Sequence, residues 1–136
     1  MNDVSPHEFL NPEGWKPAIG YANGVAASGR MVFLGGLIGW NGQQEFETDD
    51  LIEQIDQTLA NIVTVLEAAG GRPEHLVRLT WYITDKREYL DRLRELGAIY
   101  RKNLGKHFPS MAMIPVAELI EDRAKVEIEA TAVIPD

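Results

Sequence analysis

The spacing of apolar residues changes along this 136-residue chain, and each change marks an element. Between Asp49 and Ala69, Ile52, Ile55, Leu59, Ile62 and Leu66 recur every three or four residues, which lays one stripe along a helix. Thr48, Asp49 and Asp50 supply capping oxygens and negative charge at its start, and Gly70-Gly71 with Pro73 beyond supplies a left-handed stop. From Leu76 to Thr84 the period falls to two. Val77, Leu79, Trp81 and Ile83 face one way and Arg78, Thr80, Tyr82 and Thr84 the other, which predicts a central strand. A second helix is predicted from about Arg87 to Asn103, with Tyr89, Leu93, Leu96 and Tyr100 inward and Gly105 closing it.

Ahead of these elements, Pro6, Pro12 and Pro17 around Trp15 predict an extended segment over residues 1–18. Two strands follow, Tyr21–Ala27 and Met31–Leu37, turning at Ser28-Gly29-Arg30, although Asn23-Gly24 is a competing hairpin signal. Gly35 and Gly36 weaken the second strand unless something approaches its backbone closely.

The stretch from His107 to Pro135 reads as two strands joined by a turn at Glu118–Arg123. Pro115 in the first of them, Met111–Ala117, has no ladder donor and belongs at an edge or a bulge. In the second, Val126, Ile128, Ala130 and Ala132 share one face, and Glu127, Glu129, Thr131 and Val133 share the other. Period alone makes the acidic face a solvated one; covered by another subunit, its carboxylates become enclosed and available for chemistry. The order β-β-α-β-α-β-β, with room for an extra N-terminal strand, predicts a single α+β domain over 1–136. Its sheet is mostly antiparallel, with two helices packed on one face.

Charge and composition narrow the chemistry. A formal net charge of −8, with basic residues scattered among acids, argues against nucleic acid as a partner. Cysteine is absent, so neither disulfides nor thiol chemistry enter. No phosphate loop, dinucleotide fingerprint or nucleophile elbow occurs. His7, His75 and His107 fall in loop contexts too scattered for a metal site, and His107 reads as a surface histidine preceding a strand. The start of the chain has no signal-peptide pattern and no apolar run reaches membrane-spanning length. A cytoplasmic protein without membrane partners or cofactor is expected.

Phe108-Pro109, a strand, a turn and then Lys125-Val126-Glu127-Ile128-Glu129-Ala130 resemble the C-terminal signature of the RidA/YjgF family of small deaminases. Ile19-Gly20-Tyr21-Ala22 resembles the family's Gly-Pro-Tyr-Ser motif with the proline deleted, and Asn61-Ile62 and the helix ending at Gly70 are also similar. The resemblance implies a chorismate-mutase-like fold and a homotrimer with three small-molecule pockets at its subunit interfaces. It implies hydrolysis of enamine or imine metabolites, with Glu127 as the carboxylate that handles water or a proton. Gly36 corresponds to a pocket glycine and Tyr21 to the site tyrosine, although by its own context Tyr21 is equally a sheet-edge aromatic.

Two departures stand out. Where the family's deaminases carry an arginine that grips the substrate carboxylate, this chain has Met111, so Met111 and Met113 occupy the substrate-binding stretch without a charge. A helix asparagine seen near the family's site is replaced within Arg92-Leu93-Arg94. Three readings follow: a deaminase with altered substrate range, using another cation such as Arg78 or none; a non-catalytic trimer that binds a small metabolite; and, weakest on charge, a ribonuclease.

Overall fold

The apolar stripe of the first helix finds its partner in one face of a four-stranded sheet. The computed structural model describes residues 5–136. In chain order the elements are β1 (Glu8–Leu10), β2 (Gly24–Ala26), β3 (Arg30–Ile38), α1 (Leu51–Ala68), a 3-10 turn (Pro73–His75) and β4 (Leu76–Ile83). Then come α2 (Lys86–Asp91), α3 (Leu93–Leu104), β5 (Ser110–Pro115) and β6 (Val126–Ile134). The main sheet has the order β3-β6-β4-β5, with β6 antiparallel to both neighbours and β4 parallel to β5. The α+β architecture is the expected one, and Pro115 does lie on an edge strand.

α1 starts where its caps place it. Asp50 is the N-cap and accepts from the Glu53 N–H, and Gly70 takes a φ of 81° just past the last turn. Its stripe (Leu51, Ile55, Leu59, Ile62, Leu66) is fully buried against Leu79, Trp81, Ile83, Val126, Ile128 and Ala132 of the sheet. Fully burying each of these side chains stabilises the fold by about 1.5–3 kcal/mol. α3 adds Leu96, Tyr100 and Leu104, and the Tyr100 ring lies between those of Trp81 and Phe108 in a stack with centroids 6.3 and 5.1 Å away.

Four expectations are corrected. The second helix is broken at Arg92, whose φ of −124° is not helical, so α2 and α3 are separate and Leu93 points to solvent. The Arg92 side chain explains the break: it binds Asp50, Glu88 and Glu95 at 2.6–3.0 Å, tying the start of α1 to both shorter helices. The last two strands are not paired with each other, because β4 lies between them. Nor do the second and third strands form a hairpin: β2 is confined to Gly24–Ala26 and pairs with β1, the extra N-terminal strand for which the order left room. Lastly, Leu76 rather than Val77 enters the core, because a bulge between Leu76 and Arg78 leaves Val77 without a partner and resets the alternation.

Candidate active site

The face of the sheet turned away from the helices is open. Glu127, Glu129 and Thr131 of β6 stand on it beside Arg78, Thr80 and Tyr82 of β4, with Met31 and Phe33 of β3 at its margin. Phe33 is 71% exposed, an unusual state for a phenylalanine on a strand.

Glu127 is held from both sides of its strand. Tyr82 is its register partner on β4 and Ile38 its partner on β3. Two buried or half-buried amides of α1 hold the chain on either side of this point. Gln54, fully buried on α1, accepts from the Lys125 N–H at 2.8 Å and donates to the carbonyls of Thr48 and Arg123. Asn61 donates to the carbonyls of Ile38 and Trp40 at 3.0 and 2.8 Å. These bonds anchor to α1 the end of β3 and the chain entering β6, the two strands on which Gly36 and Glu127 stand.

Beside it, β3 bulges. Leu34 pairs with Ala130 and Leu37 with Ile128, so the Gly35-Gly36 stretch carries an extra residue. The Glu127 carboxylate lies over Gly36, where a Cβ would stand 2.1 Å from Oε2 and 2.9 Å from Cδ. Glycine at 36 is thus explained by the side chain that occupies its missing volume. Among the described residues, no hydrogen bond or ion pair engages the Glu127 carboxylate. Glu129 is different: its Oε1 accepts from the Tyr82 hydroxyl at 2.9 Å, and that bond raises the phenol's pKa, so Tyr82 remains a proton donor.

The other expected site residues lie elsewhere in the chain. The Ala22 N–H donates to the Pro109 carbonyl at 3.0 Å, which sets half-exposed Tyr21 beside the outer edge of β5. Met111 and Met113 register with Leu79 and Trp81 and pack toward the core, on the face opposite Glu127. One chain therefore brings Glu127 and Gly36 together, leaves Met111 and Met113 two strands away, about 10 Å at the usual strand spacing, and sets Tyr21 one step further out, beyond β5. Arg78 lies on the correct face and carries no ion pair among the described residues. It sits four residues from Tyr82, the register partner of Glu127, hence about 13 Å along the strand from that carboxylate. It instead lines a cleft of about 340 Å³ with Phe33, Thr80, Glu129 and Thr131.

Sequence reasoning missed Gln54 as a positioning residue, since a glutamine on a helix carries no signal of burial. It also misjudged His107, which is 1% exposed, because a histidine before a Phe-Pro looks like a loop residue. Among the described residues no group of three or more acidic, histidine or cysteine side chains is arranged to hold a metal ion, and no helix is long and apolar enough to cross a membrane.

A helix-backed sheet of this order defines a class, the small α+β proteins of the Rid type. A Rid-family protein of unknown function from Yersinia pestis superposes with a TM-score of 0.83 at 31% identity, covering 98% of this chain and 100% of that one. A serine-bound structure of TdcF from E. coli gives 0.66 at 30% identity, covering 93% of this chain and 98% of that one. The family described as Endoribonuclease L-PSP matches residues 13–134. A 2-iminobutanoate/2-iminopropanoate deaminase of Salmonella typhimurium is 32% identical over 85% of this chain and 89% of its own length. A RutC family protein of Aquifex aeolicus is 32% identical over 93% of this chain and 98% of its own. The chain belongs to this family, known also as RidA/YjgF.

Proposed function

We propose that this protein is a hydrolytic deaminase of enamine or imine metabolites whose substrate is not a small 2-imino acid. The observation that carries the reading is the unpaired Glu127 carboxylate, standing over a glycine bulge on an open sheet face. Water adds to the imine carbon while Glu127 takes its proton; the carbinolamine nitrogen is then protonated, the C–N bond breaks, and ammonia leaves as the carbonyl forms. The apolar margin of the open face, Met31 and Phe33, supports a homotrimer in which a neighbouring copy covers Glu127 and completes the pocket. Half-exposed Tyr21, at the outer edge of β5, then reaches the carboxylate from another subunit, and the strand that carries Met111 borders the pocket.

The substrate range follows from Met111. A small anion entering an interface pocket loses its hydration, a cost of several kcal/mol unless a cation pairs with it, on a rough scale. Met111 offers only dispersion, and Arg78 is too far from Glu127 to serve a small imino acid in the same chain. The net charge of −8 weighs against the ribonuclease implied by the family's description.

Glu127→Gln is the test. On the true substrate, found by screening imines and enamines for ammonia release, it should lower kcat by about a hundredfold or more and leave assembly unchanged. An unchanged rate removes Glu127 from the mechanism. On 2-iminopropanoate the wild-type protein should show little turnover beside the Salmonella relative as control. The uncharged Met111 also favours a second reading, a trimer that binds a metabolite without converting it; thermal stabilisation by a compound that releases no ammonia would select that one.

A further inference from the structure

All three histidines of the chain converge where the N-terminal segment meets the main sheet. Alternate residues of that segment make the contact. The Ser5 hydroxyl donates to the Glu74 carbonyl at 3.0 Å, His7 Nε2 lies 3.2 Å from the His75 carbonyl, and the Phe9 ring meets the His107 ring edge-on at 5.7 Å. Phe9 pairs with Val25, so these contacts also seat β2.

The hydrogen bonds fix which ring nitrogens carry protons. His107 Nε2 lies 2.8 Å from the Leu76 carbonyl, an acceptor only, so Nε2 is protonated. Its Nδ1 is buried without a partner. His75 Nδ1 accepts from the Arg72 backbone N–H at 3.0 Å, so that nitrogen is bare. A second proton on His75 would set donor against donor, and one on His107 would place a charge where no acceptor waits. The charged and titratable groups around the cluster offer little relief. The 3-10 turn contributes Glu74, already 2.9 Å from the Arg72 guanidinium, and α3 contributes the Tyr100 hydroxyl, which donates to the His107 carbonyl. Lys106 and Glu8 are exposed neighbours in the chain.

We propose that His75 and His107 form a proton-operated latch beneath the N-terminal segment: neutral, they hold the β1–β2 ribbon on the sheet, and protonated they release it. The sign is fixed by burial, which holds the His75 and His107 pKa values below that of a free imidazole. A depressed value means that the docked state is fully favoured above the ordinary histidine pKa of about 6.5 and loses ground as pH falls below it. Release reaches further than the ribbon. Ala22, just before β2, is bridged to Ser110, so an undocked ribbon frees the edge of β5 where Tyr21 and Met111 lie.

The test reads the ribbon itself, and so stands whether or not the pocket is a deaminase's. Backbone amide exchange at Phe9 and Val25 is followed in the full chain from pH 7.5 to 5.5 and expressed as protection over the intrinsic rate at each pH. One pH unit below the free-imidazole value allows up to about a tenfold loss of protection per titrating histidine. That loss is expected in the native chain. It should vanish in the double variant His75→Asn, His107→Gln, whose amides can keep the bonds to Arg72 and Leu76 without titrating. Flat protection in the native chain, or an equal loss in the double variant, overturns the latch. If the double variant fails to fold, NMR titration of the native rings decides: His75 and His107 charging at the ordinary imidazole value while Phe9 and Val25 stay protected also overturns it.

Discussion

The two faces of the main sheet are built from the same strands and meet different fates. On the helix side, Leu79, Trp81, Ile83, Val126 and Ile128 are sealed by α1 and α3. On the other side, side chains one residue away in the same strands, Thr80, Tyr82, Glu127 and Glu129, remain polar and partly exposed, flanked by an exposed Phe33. A face that is neither apolar enough for a core nor polar enough for bulk water suits a surface that a second protein copy covers and that a small molecule enters. The helix side holds the fold together, and the open side is free to carry chemistry.

Matched truncations sharpen that contrast. Leu59→Ala on the helix side should cost about 2–5 kcal/mol in urea unfolding, since it opens a cavity in a sealed core. Phe33→Ser on the open side should change the stability of the separated chain by no more than about 0.5 kcal/mol. It should nevertheless weaken the proposed trimer and shift sedimentation toward monomer; an assembly unaltered by the change would mean that Phe33 is not at its interface. Gln54→Ala lies between these extremes. It orphans the Lys125 N–H and the Arg123 carbonyl next to the start of β6, and should cost about 1–3 kcal/mol.

The open side has its own graded tests. Gly36→Ala should leave the melting temperature nearly unchanged while displacing the Glu127 carboxylate, lowering kcat roughly tenfold to a hundredfold. Back on the helix side, a small effect is expected at Arg92, at the junction of α2 and α3. Its guanidinium lowers the carboxyl pKa values of Asp50 and Glu95, so their contribution is present above the ordinary carboxylate range and fades as pH falls toward the depressed values. Because these groups are partly exposed and screened by water, Arg92→Met should change stability little at neutral pH. It should also flatten the acid limb of stability against pH.

Most of the helix side was legible in the sequence, because periodic apolar spacing and caps at Asp50 and Gly70 are local signals. Strand pairing was less so. Nothing local tells Val25 to pair with Phe9, or tells β6 to pass between β3 and β4. The alternation that put Val77 in the core failed at a bulge, which inserts one residue without any marker in side-chain type. For the site, Glu127 and Gly36 were found through motif resemblance, and the fold joins them by direct contact. Met111 and Met113 came from the same resemblance but face the opposite side of the sheet, an orientation set by their parallel register with Leu79 and Trp81. Burial of His107 was hidden because its cover, Phe9, lies almost a hundred residues earlier in the chain.

The placement of β6 has a consequence for how the chain acquires its fold. β6 follows every other strand in sequence, yet it is the inner strand that joins β3 to β4. A ribosome that has released β1 through β5 has released a helix stripe and a parallel β4–β5 pair with no strand to connect them to β3. Until Val126–Ile134 emerges, the Leu59 and Ile62 side of α1 lacks its sheet, and the inner edges of β3 and β4 stay unpaired. Such long-range closure slows folding and leaves nascent edges open to the wrong partners. Synthesis of this protein should therefore depend on chaperones that hold the unfinished chain, and stalling before Val126 should yield aggregates rather than a partly folded domain.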